Sequence, residues 1–172
     1  AAGIAWLFTS EPFLRNKLSW FSYGKIRASY GITGNDQIGD YRYLDAWTNT
    51  TYPYQSTTGL FPYGLFNPDF EWESTKKLEV TIDLGFLKDR ILLTATFFRN
   101  QSSNQLINYI LPTQTGNQSI LRNFPAVIEN RGFEFLFSTK NISGKQLEWS
   151  TSINLTVPKN RLVSFPHIEQ TS

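Results

Sequence analysis

The 172-residue chain has no cysteine, no methionine and a single histidine, His167. Without cysteine there is no disulfide framework of the kind that holds small secreted domains together. With one histidine and no thiol, zinc-ligand spacing is absent, and no DxDxDG calcium loop occurs. A Ser-His-Asp triad would have to be assembled around His167 alone, so catalysis of that type has little to stand on. Charge of one sign is also missing. Sixteen basic residues face fourteen acidic ones, for a net charge of +2. No basic cluster stands out, so a nucleic-acid partner lacks its electrostatic footprint. No run approaches the roughly 20 apolar residues of a membrane helix. That leaves a β-barrel open, because a membrane strand needs only about 10 tilted residues.

What is present is aromatic and alternating. Aromatic residues make up 16% of the chain, with Phe 14, Tyr 8 and Trp 5, a composition that favours sheet over helix. Over residues 77–86, Leu78, Val80, Ile82, Leu84 and Phe86 fall on one face of an extended chain. Lys77, Glu79, Thr81, Asp83 and Gly85 fall on the other. The same period of two recurs in Tyr23–Thr33, from Ile91, in Arg131–Thr139 and from Leu147, with a shorter opening run of Ile4, Trp6 and Phe8. Six strands are predicted and no helix of period 3.6. One greasy and one wet face suit either a half-buried antiparallel sheet or a barrel wall between lipid and water.

The connections separate these settings. Residues 87–90 and 141–145 are tight links, in keeping with hairpins. Residues 34–72 form a long stretch rich in aromatic residues, Gly and Pro, and residues 102–126 a second long link broken by Pro112, Gly116 and Pro125. Short turns at one end and long loops at the other is the asymmetry of outer-membrane barrels. A soluble sandwich would space its strands more evenly. Trp149, Tyr30, Phe86, Phe137 and Phe97 are expected near strand ends, where aromatic girdles sit. The chain begins Ala-Ala-Gly without an initiator Met and ends Gln170-Thr171-Ser172, so it is expected to be an internal piece of a longer protein.

Five blocks, in order, carry a family resemblance. They are Lys25-Ile26-Arg27-Ala28-Ser29-Tyr30-Gly31-Ile32-Thr33-Gly34-Asn35-Asp36-Gln37-Ile38-Gly39, then Asn67-Pro68-Asp69-Phe70-Glu71-Trp72-Glu73-Ser74-Thr75-Lys76-Lys77. Next come Leu111-Pro112-Thr113-Gln114-Thr115-Gly116 and Asn130-Arg131-Gly132-Phe133-Glu134, and last Trp149-Ser150-Thr151-Ser152-Ile153-Asn154-Leu155. Together they resemble the SusC/RagA-type TonB-dependent outer-membrane transporters. The resemblance implies an all-β fold, with antiparallel up-and-down strands forming an arc of a large transmembrane β-barrel of about 22 strands. It implies a parent in the bacterial outer membrane that imports glycans or peptides, with TonB supplying energy and a SusD-like lipoprotein as partner. The plug domain and TonB box of such a parent have no counterpart in the chain, which is read as residues 1–172 of a partial barrel.

Two groups of candidate residues follow. Lys25, Arg27, Lys77, Glu79, Asp83, Glu134 and Glu148 are candidates to line a hydrated lumen or to contact the plug; otherwise they simply keep an inward face wet. Tyr41, Tyr43, Trp47, Tyr52 and Tyr54, in the first long loop, offer flat rings for ligand or lid contact; otherwise they pack on one another. Carboxylates at Asp69, Glu71 and Glu73 could suggest a glycosidase pair, but beside Trp72 they suit a loop-to-strand junction better. The chain is expected to be no enzyme and to need no metal or cofactor. The competing reading from another class is a soluble secreted β-sandwich that binds carbohydrate, which predicts a closed apolar core.

Overall fold

In a computed structural model of the chain, the residues described are 1–11, 20–35, 44, 46–62, 65, 67, 70–116 and 119–166. The strands are β1 (Ala2–Trp6), β2 (Phe21–Asn35), β3 (Trp47–Asn49), β4 (Leu60–Pro62), β5 (Glu73–Phe86), β6 (Ile91–Ser103), β7 (Gln105–Ile110), β8 (Ser119–Phe124), β9 (Val127–Ser143) and β10 (Glu148–Ser164). Six of them form one sheet in the order β1-β2-β5-β6-β9-β10, and β3-β4 and β7-β8 form separate two-stranded sheets. The six strands of this sheet are those the alternation predicts, although β1 has only five residues and Phe8 falls outside it in a short 3-10 turn. The two small hairpins carry no such signal and lie within the segments that join β2 to β5 and β6 to β9.

The chain divides into two compact units. The first, residues 1–33, 75–101 and 128–162, contains most of the six-stranded sheet. Its register sorts side chains by face. Ile4 lies opposite Ala28 and Trp6 opposite Ile26, while Ala5 lies opposite Arg27 and Gly3 opposite Ser29. A slip by one residue would exchange the two faces, so the apolar alternation itself selects this pairing. Among the described residues the apolar face is uncovered. Ile4, Trp6, Ile26, Tyr30, Val80, Phe133, Phe135, Trp149, Ile153, Leu155 and Val157 are all exposed, and the one buried hydrophobic residue among those described is Ala126, outside this unit. A sheet with an apolar face this large and no core beneath it is the inverse of a soluble domain. The sandwich reading lacks the core it requires.

Short links close one end of the sheet. β5 turns into β6 through Leu87, Lys88 and Asp89, whose φ values are 54, 59 and 62°. This left-handed run is held from outside: the Ser22 hydroxyl donates to Asp89 Oδ1 at 2.7 Å, and the Asp89 N–H donates to Ser22 Oγ at 3.0 Å. An aromatic cluster sits at the same end. Trp20 stacks on Phe86 with centroids 5.6 Å apart, Phe21 meets Phe86 edge-on at 5.2 Å, and Phe8 lies 5.8 Å from Phe21 and 5.9 Å from Trp6. This corrects the expected girdle. Phe86 and Trp149 do lie at strand ends, but Tyr30, Phe97 and Phe137 are mid-strand. The reason is length: β2, β6 and β9, which carry these three, run for 15, 13 and 17 residues, past the stretches in which apolar alternation is visible.

The second unit, residues 34–74, 102–127 and 163–172, is built on its hairpins. β7 and β8 pair from Gln105↔Phe124 to Ile110↔Ser119. Glu71 and Glu73 are occupied here. Asn104 Nδ2 donates to Glu71 Oε2 at 2.8 Å, and the Leu106 N–H donates to Glu73 Oε1 at 2.8 Å. Asn123 clamps the Glu71 backbone, accepting from its N–H and donating to its carbonyl. These carboxylates tie a junction together, as their place beside Trp72 suggests; Asp69 lies outside the described residues.

Candidate functional site

The polar face of the sheet carries two hydrogen-bonded groups that each reach across neighbouring strands. Arg27 on β2 pairs with Asp83 on β5 at 3.1 Å, and the Thr94 hydroxyl on β6 donates to the other Asp83 oxygen at 2.9 Å. The Thr81 and Thr96 hydroxyls meet at 3.0 Å, and Thr81 donates to Glu79 Oε1. The Arg27 side chain is half exposed, so the ion pair by itself contributes only about 0.2–1 kcal/mol. Its larger consequence is to fix charge and hydroxyls in one plane across three strands.

Lys77, Glu79 and Glu134 do come together. With Ser29, Thr96, Asn100 and Asn130 they line a depression of about 550 Å³ on this face. Glu148, at the first position of β10, shares the parity of Ser152, whose hydroxyl meets that of Ser138 at 3.2 Å; it is thus on the same face but away from the depression. Lys25 is half-buried on β2, one alternation from Arg27. Among the described residues no three His, Cys, Asp or Glu side chains gather as a metal site.

The sequence reading missed the most buried charge in the sheet. Glu129 on β9 is 0% exposed and receives three arginines: Arg99 Nε at 2.6 Å, Arg161 Nε at 2.8 Å and Arg131 Nε at 3.8 Å. Gln101 Nε2 donates to the same carboxylate at 3.0 Å. This cluster is on the apolar face, since Glu129 and Arg131 share the parity of Phe133, which contacts Phe97 at 5.3 Å. A signal was available: Arg99, Arg131 and Arg161 each continue an apolar stripe past its end, on three neighbouring strands.

Of the loop aromatics, Trp47 on β3 is exposed, and Tyr52 and Tyr54 are 89% and 79% exposed. Tyr54 pairs with Thr57 across a turn in which Gln55 and Ser56 have positive φ. Among the described residues these three rings are exposed. Tyr41 and Tyr43 lie outside the described residues.

Comparison with known proteins agrees with this geometry. The family model for a TonB dependent receptor-like β-barrel matches residues 1–162. TonB-dependent receptor P39 of Formosa agariphila is 33% identical over 165 residues, covering 96% of this chain and 16% of that protein. TonB-dependent receptor SusC of Bacteroides thetaiotaomicron is 27% identical over 174 residues, covering 94% of this chain and 17% of that protein. The chain thus spans about one-sixth of the length of these relatives. Among solved structures, the RagAB peptide transporter superposes with a TM-score of 0.83 at 22% identity, over 96% of this chain and 18% of the matched chain. The RagAB peptide importer in its closed-closed state gives 0.84 at the same identity.

Proposed function

The chain belongs to the TonB-dependent receptor β-barrel family, and from that premise we propose that it forms part of the wall of an outer-membrane nutrient transporter. The observation that carries this reading is the uncovered sheet. One face is apolar and exposed, the opposite face is polar and hydrogen-bonded, and the described residues form no core under either. A wall between lipid and a wet lumen needs both faces as they are. The edge strands β1 and β10 would pair with further strands of a closed barrel, since unpaired backbone groups are not tolerated in lipid.

In this reading Lys25, Arg27, Lys77, Glu79, Asp83, Glu134 and Glu148 face the lumen or a plug. Substrate passage is a conformational event rather than bond chemistry, so no residue is assigned a catalytic role. The cargo of the full-length protein is an oligomer, glycan or peptide, taken up with TonB and a SusD-like lipoprotein partner. The likeness to the RagAB peptide transporter supports the peptide arm of that reading.

Paired substitutions on adjacent residues test the orientation. Val80→Arg places a charge on the lipid side and is expected to cost about 2–4 kcal/mol near the bilayer midplane, whereas Glu79→Arg on the lumen side is expected to change stability little. Urea unfolding of the full-length protein in lipid vesicles measures both. Equal sensitivity at the two positions would sink the assignment of faces.

The exposed loop rings give a second test. Replacing Trp47, Tyr52 and Tyr54 together by Ala is expected to weaken ligand uptake or lid association by roughly tenfold or more. The melting transition of the barrel should not move, because these exposed rings lie outside the six-stranded sheet. Unchanged uptake and unchanged lid association would remove them from the site.

A further inference from the structure

The cluster around Glu129 has more positive charge than its own carboxylate balances, and it lies on the face that meets lipid. Arg99, Arg131 and Arg161 against Glu129 leave a net charge of about +2 on the simple count of three cations and one anion. Each guanidinium engages the carboxylate through Nε, and each arginine side chain stays 40–46% exposed. Among the described residues, Glu129 is the one acidic side chain that pairs with them. Fully buried, it acts as the anchor that gathers three donors from three different strands.

Position gives the cluster its meaning. On β6 the apolar parity runs Ile91, Leu93, Ala95, Phe97 and then Arg99. On β9, in the opposite direction, it runs Phe137, Phe135, Phe133 and then Arg131. On β10 it runs Ile153, Leu155, Val157 and then Lys159 and Arg161. Apolar wall gives way to cation at one level across three strands, at the end away from the short turn of residues 87–90. In outer-membrane barrels short turns are periplasmic, so this level belongs to the outer leaflet.

We propose that Arg99, Arg131 and Arg161, gathered by Glu129, form a binding site for the phosphate headgroup of an outer-leaflet lipid whose acyl chains lie along Phe97, Phe133 and Val157. The inference rests on the barrel reading above. Guanidinium groups suit phosphate because their planar donors engage two oxygens at once, and a cation beside an apolar wall matches a phosphorylated amphiphile at both ends. Glu129 fixes the donors in advance, so little side-chain freedom is lost when the headgroup arrives.

The test uses the full-length protein in an uncharged detergent, with native mass spectrometry counting retained lipid. The probes are diphosphorylated lipid A, the same lipid with its phosphates removed, and inorganic phosphate alone. Wild type is expected to retain the phosphorylated lipid roughly tenfold better than the dephosphorylated one. Arg131→Gln is expected to lose most of that preference. It removes the arginine farthest from Glu129 and leaves the two short pairs in place, so the fold is expected to hold, with an unchanged melting transition as the check. Equal retention of both lipids, or an unchanged preference in Arg131→Gln, overturns the headgroup site. Displacement of the lipid by millimolar inorganic phosphate would overturn lipid as the occupant in favour of the free anion. Failure of the underlying reading looks different: the protein would then stay monomeric and β-rich with no detergent at all.

Discussion

Glu129→Leu is expected to be the most damaging single substitution in the six-stranded sheet. The wild-type carboxylate is fully buried and serves as acceptor for Arg99, Arg161 and Gln101, with Arg131 at 3.8 Å. Leucine fills a similar volume but accepts nothing. Three guanidiniums on adjacent strands would then repel one another over a site that no longer offers compensation. The expected result is a fall in melting temperature of roughly 5 °C or more for the full-length protein in detergent. Glu129→Gln should land between, since an amide oxygen accepts but carries no charge. Replacing Arg99, Arg131 and Arg161 by Met, on top of Glu129→Leu, is expected to recover most of the loss, because an apolar face in lipid needs no charge there. If Glu129→Leu melts like wild type, the carboxylate does not organise the cluster.

The second large effect is steric. A Cβ at Gly132 would sit 2.5 Å from the Val157 carbonyl oxygen, 3.0 Å from Pro158 Cα and 3.0 Å from the Phe98 ring. Two of these three neighbours are backbone of the adjacent strand and cannot swing away. Gly132→Ala therefore forces β9 and β10 apart locally, at an expected cost of about 1–3 kcal/mol. Gly3→Ala is the control, since its nearest neighbour is at 3.6 Å and ordinary contact results; it should stay within about 0.5 kcal/mol of wild type. Adding Phe98→Ala to Gly132→Ala should not rescue it, because the backbone contacts remain. Urea unfolding of the three variants decides this, and full rescue by Phe98→Ala would assign the constraint to the ring instead. The glycine of the Asn130-Arg131-Gly132-Phe133-Glu134 block thus has a physical reason: β10 comes too close for any side chain.

Much of the sheet was legible because period-two alternation is a local property. Leu78 to Phe86 states which residues share a face without reference to any partner, and the short link at 87–90 states which strand comes next. The hairpins β3-β4 and β7-β8 were not legible. Trp47–Asn49 and Leu60–Pro62 are three residues each, too short for a period to show. The candidate site was legible by halves. Parity placed Arg27 and Asp83 on one face, but their pairing depends on the offset between β2 and β5, which alternation does not contain.

By itself, then, the sequence determined the fold class, the order of the long strands, the two faces and the family, all of which rest on local spacing and ordered motifs. The tertiary structure alone decided how far each strand runs and where the aromatic cluster sits. It alone decided that charges as distant in sequence as Arg99 and Arg161 meet at one buried carboxylate. Such a meeting needs the registers of three strands at once. Register is a relation between segments distant in sequence, and only the assembled sheet expresses it.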